Sequence, residues 1–373
     1  MIKSPIRVLH VFGYFGRGGA ESMVMNLYRS IDKSEIQFGF VVHGDKIGDF
    51  EEEAKLMGAD IFRVPDYKGK NHLDYKKAWK NIFKNNPEYS VIHGHVRSTA
   101  NIYLSIAQQF GLKTIAHSHS TSSGSGLAAQ VKNLFQYGIR FYTDEYLACS
   151  KEAGQWLFGK KICNRENFHV LYNAIDSSEY IYNPAVRDLK RAELNLVDKF
   201  VVGHVGRFYE AKNHKFIIDI FYQLLKIHDN AVLVLVGEGD LKAEIEEQVS
   251  GLGIQDKVKF LGLRADVNEL LQAFDVFLFP SLFEGLPVTL VETQAAGLPS
   301  VISDTITNDI KITEFIKFVS LDEKPSNWAE LVLKTVDASP RRDTSSDIKA
   351  NYYDIEITAN WYTTFIKEIT NKK

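Results

Sequence analysis

Five segments in the second half of this chain are near-continuous apolar runs: FVVGHVG (200–206), AVLVLVG (231–237), KVKFLG (257–262), DVFLFP (275–280) and PSVIS (299–303). Strands that are apolar on both faces cannot leave one face in water, so these runs require a sheet covered on both sides. Longer stretches of helical pattern separate them, and that alternation predicts a mostly parallel sheet wrapped by helices. The first half follows the same rule, with IRVLHVF (6–12), IQFGFVV (36–42), DIFRV (60–64), SVIHGH (90–95), KTIAHSH (113–119) and EYLACS (145–150). After its first strand, AESMVMNLYRSI sets Met23, Leu27 and Ile31 at fourfold spacing, with Val24 and Tyr28 beside them. Two such sets in 373 residues exceed what one core organises. The chain therefore reads as α/β, with two doubly wound, Rossmann-like domains facing a central cleft.

The boundary falls near 172–185, where VLYNAIDSSEYIYNP gathers Asn, Asp and Ser and then an Asn-Pro step, a turn signature rather than an element interior. The expected domains are residues 1–175 and 176–355. A last helical pattern, IEITANWYTTFIKEI, carries Ile357, Trp361 and Phe365 on one stripe and must dock on something.

Several function classes drop out early. No apolar run approaches the roughly 20 residues of a membrane span. The start is already strand-like and lacks a signal-peptide pattern. Cys149 and Cys163 alone make neither a disulfide framework nor a Cys-rich metal site. These features point to the cytoplasm. Residues 1–172 carry a net charge of +6 and residues 173–373 one of −9, which suits two domains with different partners. A pI near 6.4 argues against a nucleic-acid binder.

Four clusters carry candidate chemistry. In GHVGRFYEAKN, Arg207 and Lys212 follow a strand exit, where a planar guanidinium and a mobile ammonium suit a diphosphate as well as they suit a solvated loop. In PSLFEGLPVTLVETQAAGLP, Pro287 fits a first helical turn, leaving the amides of Leu286, Val288 and Thr289 for an anion. Glu284 before that helix and Glu292 within it could accept vicinal hydroxyls of a sugar. In GYFGRGGAES, Gly13, Gly16, Gly18 and Gly19 permit close backbone approach, but they are out of register with a dinucleotide fingerprint. Asp45, the ribose acid such a site would need, is correspondingly weak support for it. His93, His95, His117 and His119 end two strands near one edge, without the spacing of a zinc site. Packing and hydrogen bonding within the sheet are the expectation for His93 and His117. No D-x-D, the usual diphosphate-metal device, occurs anywhere; Glu238-Gly239-Asp240 comes nearest. Cations and backbone dipoles would have to stabilise a departing diphosphate instead.

Taken together, GGAE, VIHGH, IAHSH, VLYNAID, GRFYEAKN, LVGEGDL, VKFLG and the Glu284-to-Glu292 spacing before GLPSVISD resemble a retaining glycosyltransferase of family 4, with the GT-B fold. The resemblance spans nearly the whole chain and is most similar to enzymes of capsular and exopolysaccharide assembly. It implies that Arg207 and Lys212 hold the donor diphosphate, that Glu292 binds the ribose and that Glu284, Gly285 and Leu286 bind the donor sugar. It also implies that Gly18 and Gly19 close over the phosphates, that His119 stands near the transferred sugar, and that Gly237 and Glu238 line the nucleotide pocket. Backbone at 260–263 would touch the base. A last helix, about 356–371, would cross back to the first domain. The chain has EGLP where the family often has EGFGLP, a shorter loop at the sugar.

Implied substrates are a nucleotide sugar, UDP-linked by family default, and a glycan or lipid-linked acceptor, with no cofactor and no metal. Rival readings on the same scaffold are a non-hydrolysing nucleotide-sugar epimerase, a phosphorylase lacking an identifiable cofactor lysine, and a non-catalytic nucleotide-sugar-binding subunit. Lipid-linked acceptors would favour peripheral contact at the inner membrane face. DYKKAWKNIFKNN is the candidate contact, with Tyr75, Trp79, Ile82 and Phe83 on one side and Lys76, Lys77, Lys80 and Lys84 supplying charge. The alternative is a helix whose apolar side packs on the sheet.

Overall fold

The apolar runs form two wholly parallel sheets in the computed structural model, which describes residues 4–120 and 136–371. One compact unit comprises Met1–Ala174 with Ile355–Lys373, and the other Ile175–Asp354. In unit 1 the strands are β1 (Ile6–Phe12), β2 (Ile36–His43), β3 (Asp60–Val64), β4 (Tyr89–Gly94), β5 (Lys113–Ser118), β6 (Glu145–Ala148) and β7 (Phe168–Val170). Their order across the sheet is β3-β2-β1-β4-β5-β6-β7. Unit 2 contains β8 (Phe200–Val205), β9 (Ala231–Val236), β10 (Val258–Phe260), β11 (Val276–Phe279), β12 (Ser300–Ser303) and β13 (Ile316–Val319), in the order β10-β9-β8-β11-β12-β13. Each order reverses beside the unit's first strand, between β1 and β4 and between β8 and β11. Successive crossovers diverge there, so the strand ends open a crevice suited to a ligand.

Two of these strands are invisible as apolar runs. β7 and β13 have three and four residues, contain His169 and Lys317, and lie at sheet edges. Their assignment comes from pairing with β6 and β12 rather than from their own composition.

The sheet of unit 1 is buried on both faces. On one face, Val8, Phe12, Phe38 and Phe40 pack with Met23, Leu27 and Tyr28 of helix Gly19–Ser30 and with Tyr362 and Ile366 of helix Ile355–Asn371. That last helix does dock, on a face that keeps Phe365 and the partly buried Trp361 of the expected stripe but is centred on Tyr362 and Ile366. Thr358, Tyr362, Phe365, Ile366 and Ile369 face inward, while Ile357 is 36% exposed at the rim. On the other face, helix His72–Asn85 buries Tyr75, Trp79 and Phe83, with Trp79 stacked on Tyr103 at 5.0 Å. The expected membrane-facing side of this helix is therefore part of the core. Its lysines remain toward solvent, with Lys77, Lys80 and Lys84 exposed and Lys76 half-buried. No helix among the described residues is long and apolar enough to cross a membrane.

In unit 2 the chain enters and leaves side by side. Ile175 N–H donates to the Tyr353 carbonyl at 2.9 Å, Ile175 bridges Asp354, and the Ser177 hydroxyl donates to the Asp354 carboxylate. Asp275 anchors the base of β8, accepting from Val201 N–H at 2.7 Å and from Arg191 at 2.6 Å, and pairing with Arg187.

Candidate active site

The crevice of unit 2 gathers most of the candidate residues. β8 ends at Val205, and Gly206, Arg207 and Phe208 turn directly against the exit of β9. Gly237 lies there at φ +137°, and a Cβ on it would stand 2.2 Å from the Gly206 carbonyl oxygen. Only glycine satisfies both the angle and the approach. Gly237 N–H donates to Gly262 O at 2.8 Å and Phe208 N–H to Glu238 O at 3.0 Å, so the loops after β8, β9 and β10 form one hydrogen-bonded rim. Arg207 projects from that rim into solvent, without an ion pair among the described residues. Glu238 pairs with Lys242 one turn onward, at 2.9 Å.

Across the crevice, the segment after β11 carries Glu284. Its Oε1 lies 2.7 Å from Lys212 Nζ, with the side chains only 11% and 12% exposed. The approach is poorly directed for a hydrogen bond, so charge attraction dominates the contact. Lys212 also lies 4.4 Å from the centroid of the Phe279 ring. Two residues read separately from the sequence, one for phosphate and one for sugar, thus form a single pair.

Helix Val288–Ala295 starts at the same edge. Pro287 takes the cap position with ψ 112°, rather than the first helical turn, because its extended backbone delays the helix by one residue. No side chain caps this start, so amides at the helix N-terminus are open to an acceptor. Leu286 is buried beneath it and Gly285 is exposed. Within the helix, Glu292 accepts from the Tyr180 hydroxyl at 3.2 Å. Burial pushes the Glu292 carboxyl up to about 7, against the lowering effect of Tyr180. Tyr180 sits in a turn-rich segment that reads as linker, and nothing in that stretch marks it as a site residue.

In unit 1, Gly18 caps helix Gly19–Ser30, and both Gly18 and Gly19 are exposed. A Cβ on Gly18 would stand 2.2 Å from Glu21 Oε2, so that carboxylate folds over the helix start. Asp45 lines a separate cavity of about 600 Å³ at the exits of β2 and β3, with Arg63, Asp66 and Lys68. Arg63 is held there by Glu51 at 2.7 Å.

The histidines lie at the β1/β4 reversal and at the exit of β5. Parallel register sets His10 beside His93. His10 Nδ1 lies 3.0 Å from His95 Nε2, His95 Nδ1 lies 2.8 Å from His119 Nε2, and His93 Nε2 lies 3.1 Å from His117 Nδ1. His93 Nδ1 is 3.0 Å from the Tyr362 hydroxyl. His93 and His117 are packed and hydrogen-bonded within the sheet, as expected. His10, inside an apolar strand run, went unmarked, although it shares a face with the others. Burial lowers all five rings, His10 and His119 to about 3. His10, His93 and His95, and likewise His95, His117 and His119, bring ring nitrogens within 4.8 Å of one another. Neutral imidazoles suit a transition ion. Here the rings bond mainly to each other, and a metal would have to displace those bonds.

Residues 17–179 match the model of Glycosyltransferase Family 4, and residues 186–349 that of Glycosyl transferases group 1. A Bacillus subtilis protein named as glycosyltransferase EpsF is 37% identical over 350 residues, covering 92% of this chain and 91% of that one. The capsular polysaccharide biosynthesis glycosyltransferase CapH of Staphylococcus aureus is 23% identical, covering 99% of each chain. The crystal structure of Anabaena HepE in complex with UDP superposes with a TM-score of 0.74 at 18% identity, over 98% of each chain, and shares the GT-B fold.

Proposed function

This chain belongs to the glycosyltransferases, and on that premise we propose that it transfers a sugar from a UDP-linked donor to a glycan or lipid-linked acceptor, with retention of anomeric configuration, in surface polysaccharide assembly. The observation that carries the reading is the crevice of unit 2. There the Lys212–Glu284 pair, exposed Arg207 and an uncapped helix start converge on one strand-exit edge. The UDP held by HepE and the capsular role in the name of CapH support the donor and the setting.

Arg207 and Lys212 neutralise the diphosphate as it leaves, aided by the helix-start amides. Glu284 turns from Lys212 to the donor-sugar hydroxyls, and Lys212 is released toward phosphate. Glu292 accepts from the ribose hydroxyls. In unit 1, Gly18 and Gly19 are the residues that would let a phosphate approach the backbone closely, and His119 the one that would bond to the transferred sugar. No carboxylate nucleophile is needed. The acceptor hydroxyl attacks on the face the diphosphate leaves, and the departing phosphate oxygen takes its proton. A glycosidase would instead need two carboxylates straddling the bond. With no D-x-D in the chain, the reaction proceeds without a divalent metal.

The test is incubation with a panel of nucleotide sugars, reading slow hydrolysis and ligand-dependent thermal stabilisation. Stabilisation by UDP and one UDP-sugar, with hydrolysis unaffected by EDTA, is the expected result. Loss of activity in EDTA restored by Mg²⁺ or Mn²⁺ would refute the metal-free mechanism.

A further inference from the structure

Three imidazoles in unit 1 stand in single file. His10 bonds through Nδ1 to His95 Nε2, and His95 bonds through Nδ1 to His119 Nε2. The nitrogens at the two ends, His10 Nε2 and His119 Nδ1, are buried and have no hydrogen-bond partner among the described residues. A neutral imidazole carries one N–H and one lone pair. Each ring in such a file must therefore donate in the same sense as its neighbour. Whichever sense holds, one end nitrogen bears a proton and the other a lone pair. The tautomer of His119 is thus coupled to His10, two rings away.

The inner end decides the sense. His10 is wholly buried, with its ring centroid 4.2 Å from that of Phe38 and 5.8 Å from that of Phe40. The nearby Tyr362 hydroxyl is engaged with His93. Buried backbone N–H groups are left without an acceptor more rarely than buried carbonyls are left short of a donor, and a ring N–H against apolar walls carries the same kind of cost. The lone pair therefore belongs on His10 Nε2 and the proton on His119 Nδ1, a buried nitrogen on a half-buried ring at the strand exit, where an oxygen of a bound ligand would supply the missing acceptor.

We propose that His10 and His95 are positioning residues that lock His119 as its Nδ1–H tautomer, so that His119 presents a hydrogen-bond donor, not a base, to an oxygen of the sugar substrate. The placement of His119 at the sugar rests on the proposed function; the tautomer lock does not. No proton moves along the file. Among the described residues the titratable and charged groups against its rings are His93, His117, Tyr362 and, at the outer end, Arg97, with no carboxylate to stabilise an imidazolium. Burial accordingly keeps the file neutral.

The test is ¹⁵N spectroscopy of the full chain labelled at histidine, which distinguishes protonated from bare ring nitrogens, with His119→Gln assigning the signal. Nδ1–H at His119 at neutral pH is expected, and Nε2–H there would overturn the lock. His10→Leu removes the first donor, so His119 should populate both tautomers and turnover should fall roughly tenfold, the worth of one hydrogen bond, at unchanged KM for the donor. His10→Asn returns an amide N–H near the lost Nδ1–H and should restore both readouts. A turnover loss in His10→Leu with the His119 tautomer unmoved would show a merely structural role and overturn the proposal. A shifted tautomer with turnover unmoved upholds the lock and overturns only the placement of His119 at the sugar. Should His10→Leu fail to fold, the wild-type spectrum decides the lock alone.

Discussion

Glu292→Gln isolates the effect of one buried carboxyl. Glu292 is pushed from its ordinary 4.5 to about 7 because burial disfavours its anion. The unfolded chain releases this proton near the ordinary value. Between the two values the native state therefore holds more protons, and stability falls as pH rises. Each pH unit of displacement is worth about 1.4 kcal/mol, and partial exposure trims the total to about 2–3 kcal/mol. Glutamine keeps the shape and an acceptor for the Tyr180 hydroxyl, but has no charge to bury. Urea unfolding of both proteins should give similar midpoints near pH 4.5 and a variant more stable by about 2–3 kcal/mol at pH 8. Ribose hydroxyls would favour the anion, so UDP affinity of the wild type should rise as pH passes through 7, with proton uptake by buffer below it. The variant should bind UDP more weakly and without that pH dependence. Parallel stability curves for the two proteins from pH 4.5 to 8 would refute the burial argument.

Other substitutions separate the remaining roles. Tyr180→Phe removes the one side-chain hydrogen bond to Glu292 among the described residues, and should extend the pH-dependent loss of stability to higher pH than in the wild type. Arg207→Ala and Lys212→Ala should each cost about 2–4 kcal/mol of transition-state stabilisation in kcat/KM. Only Lys212→Ala should also lower the unfolding midpoint, since it strands the nearly buried Glu284 carboxylate. Glu284→Ala should leave affinity for free UDP intact and lower turnover of the intact donor; an equal loss of UDP affinity in Glu284→Ala and Glu292→Ala would contradict the assignment. With Trp79 in the core, any binding of helix His72–Asn85 to anionic vesicles should be electrostatic. Co-sedimentation should then vanish at high salt and in the variant with Lys76, Lys77, Lys80 and Lys84 changed to Gln, with Trp79 emission unshifted throughout.

The long apolar strands were legible because burial on both faces writes itself into consecutive residues such as AVLVLV. β7 and β13 were not, since edge strands of three and four residues borrow their order from a neighbour. The inward face of helix Ile355–Asn371 was read off-centre because Ile357 outweighs Thr358 in apolarity, although Thr358 is buried and Ile357 lies at the rim. Among the candidate site residues, motif spacing picked out Lys212, Glu284 and Glu292 one by one. Their relations were hidden: that Lys212 and Glu284 neutralise each other, and that Tyr180 reaches Glu292 from 112 positions upstream, depend on strand order rather than on local sequence. His10 was overlooked for a related reason, because one polar residue in an apolar strand carries no signal until its neighbours across β4 are known.

Unit 2 is one uninterrupted insert whose two ends meet at the Ile175–Asp354 bridge, whereas unit 1 is assembled from two pieces of chain separated by that whole insert. On the ribosome this inverts the usual order of maturation, in which the portion made first folds first. Residues 175–354 can finish their sheet as soon as they emerge. The earlier-born sheet must wait for Tyr362, Phe365 and Ile366, and until then Phe38 and His93, which pack against Tyr362, lack that part of their cover. A chaperone binding nascent chains should therefore hold the N-terminal half longest, and synthesis stalled shortly before residue 355 should leave a protease-resistant second unit joined to a digestible first one.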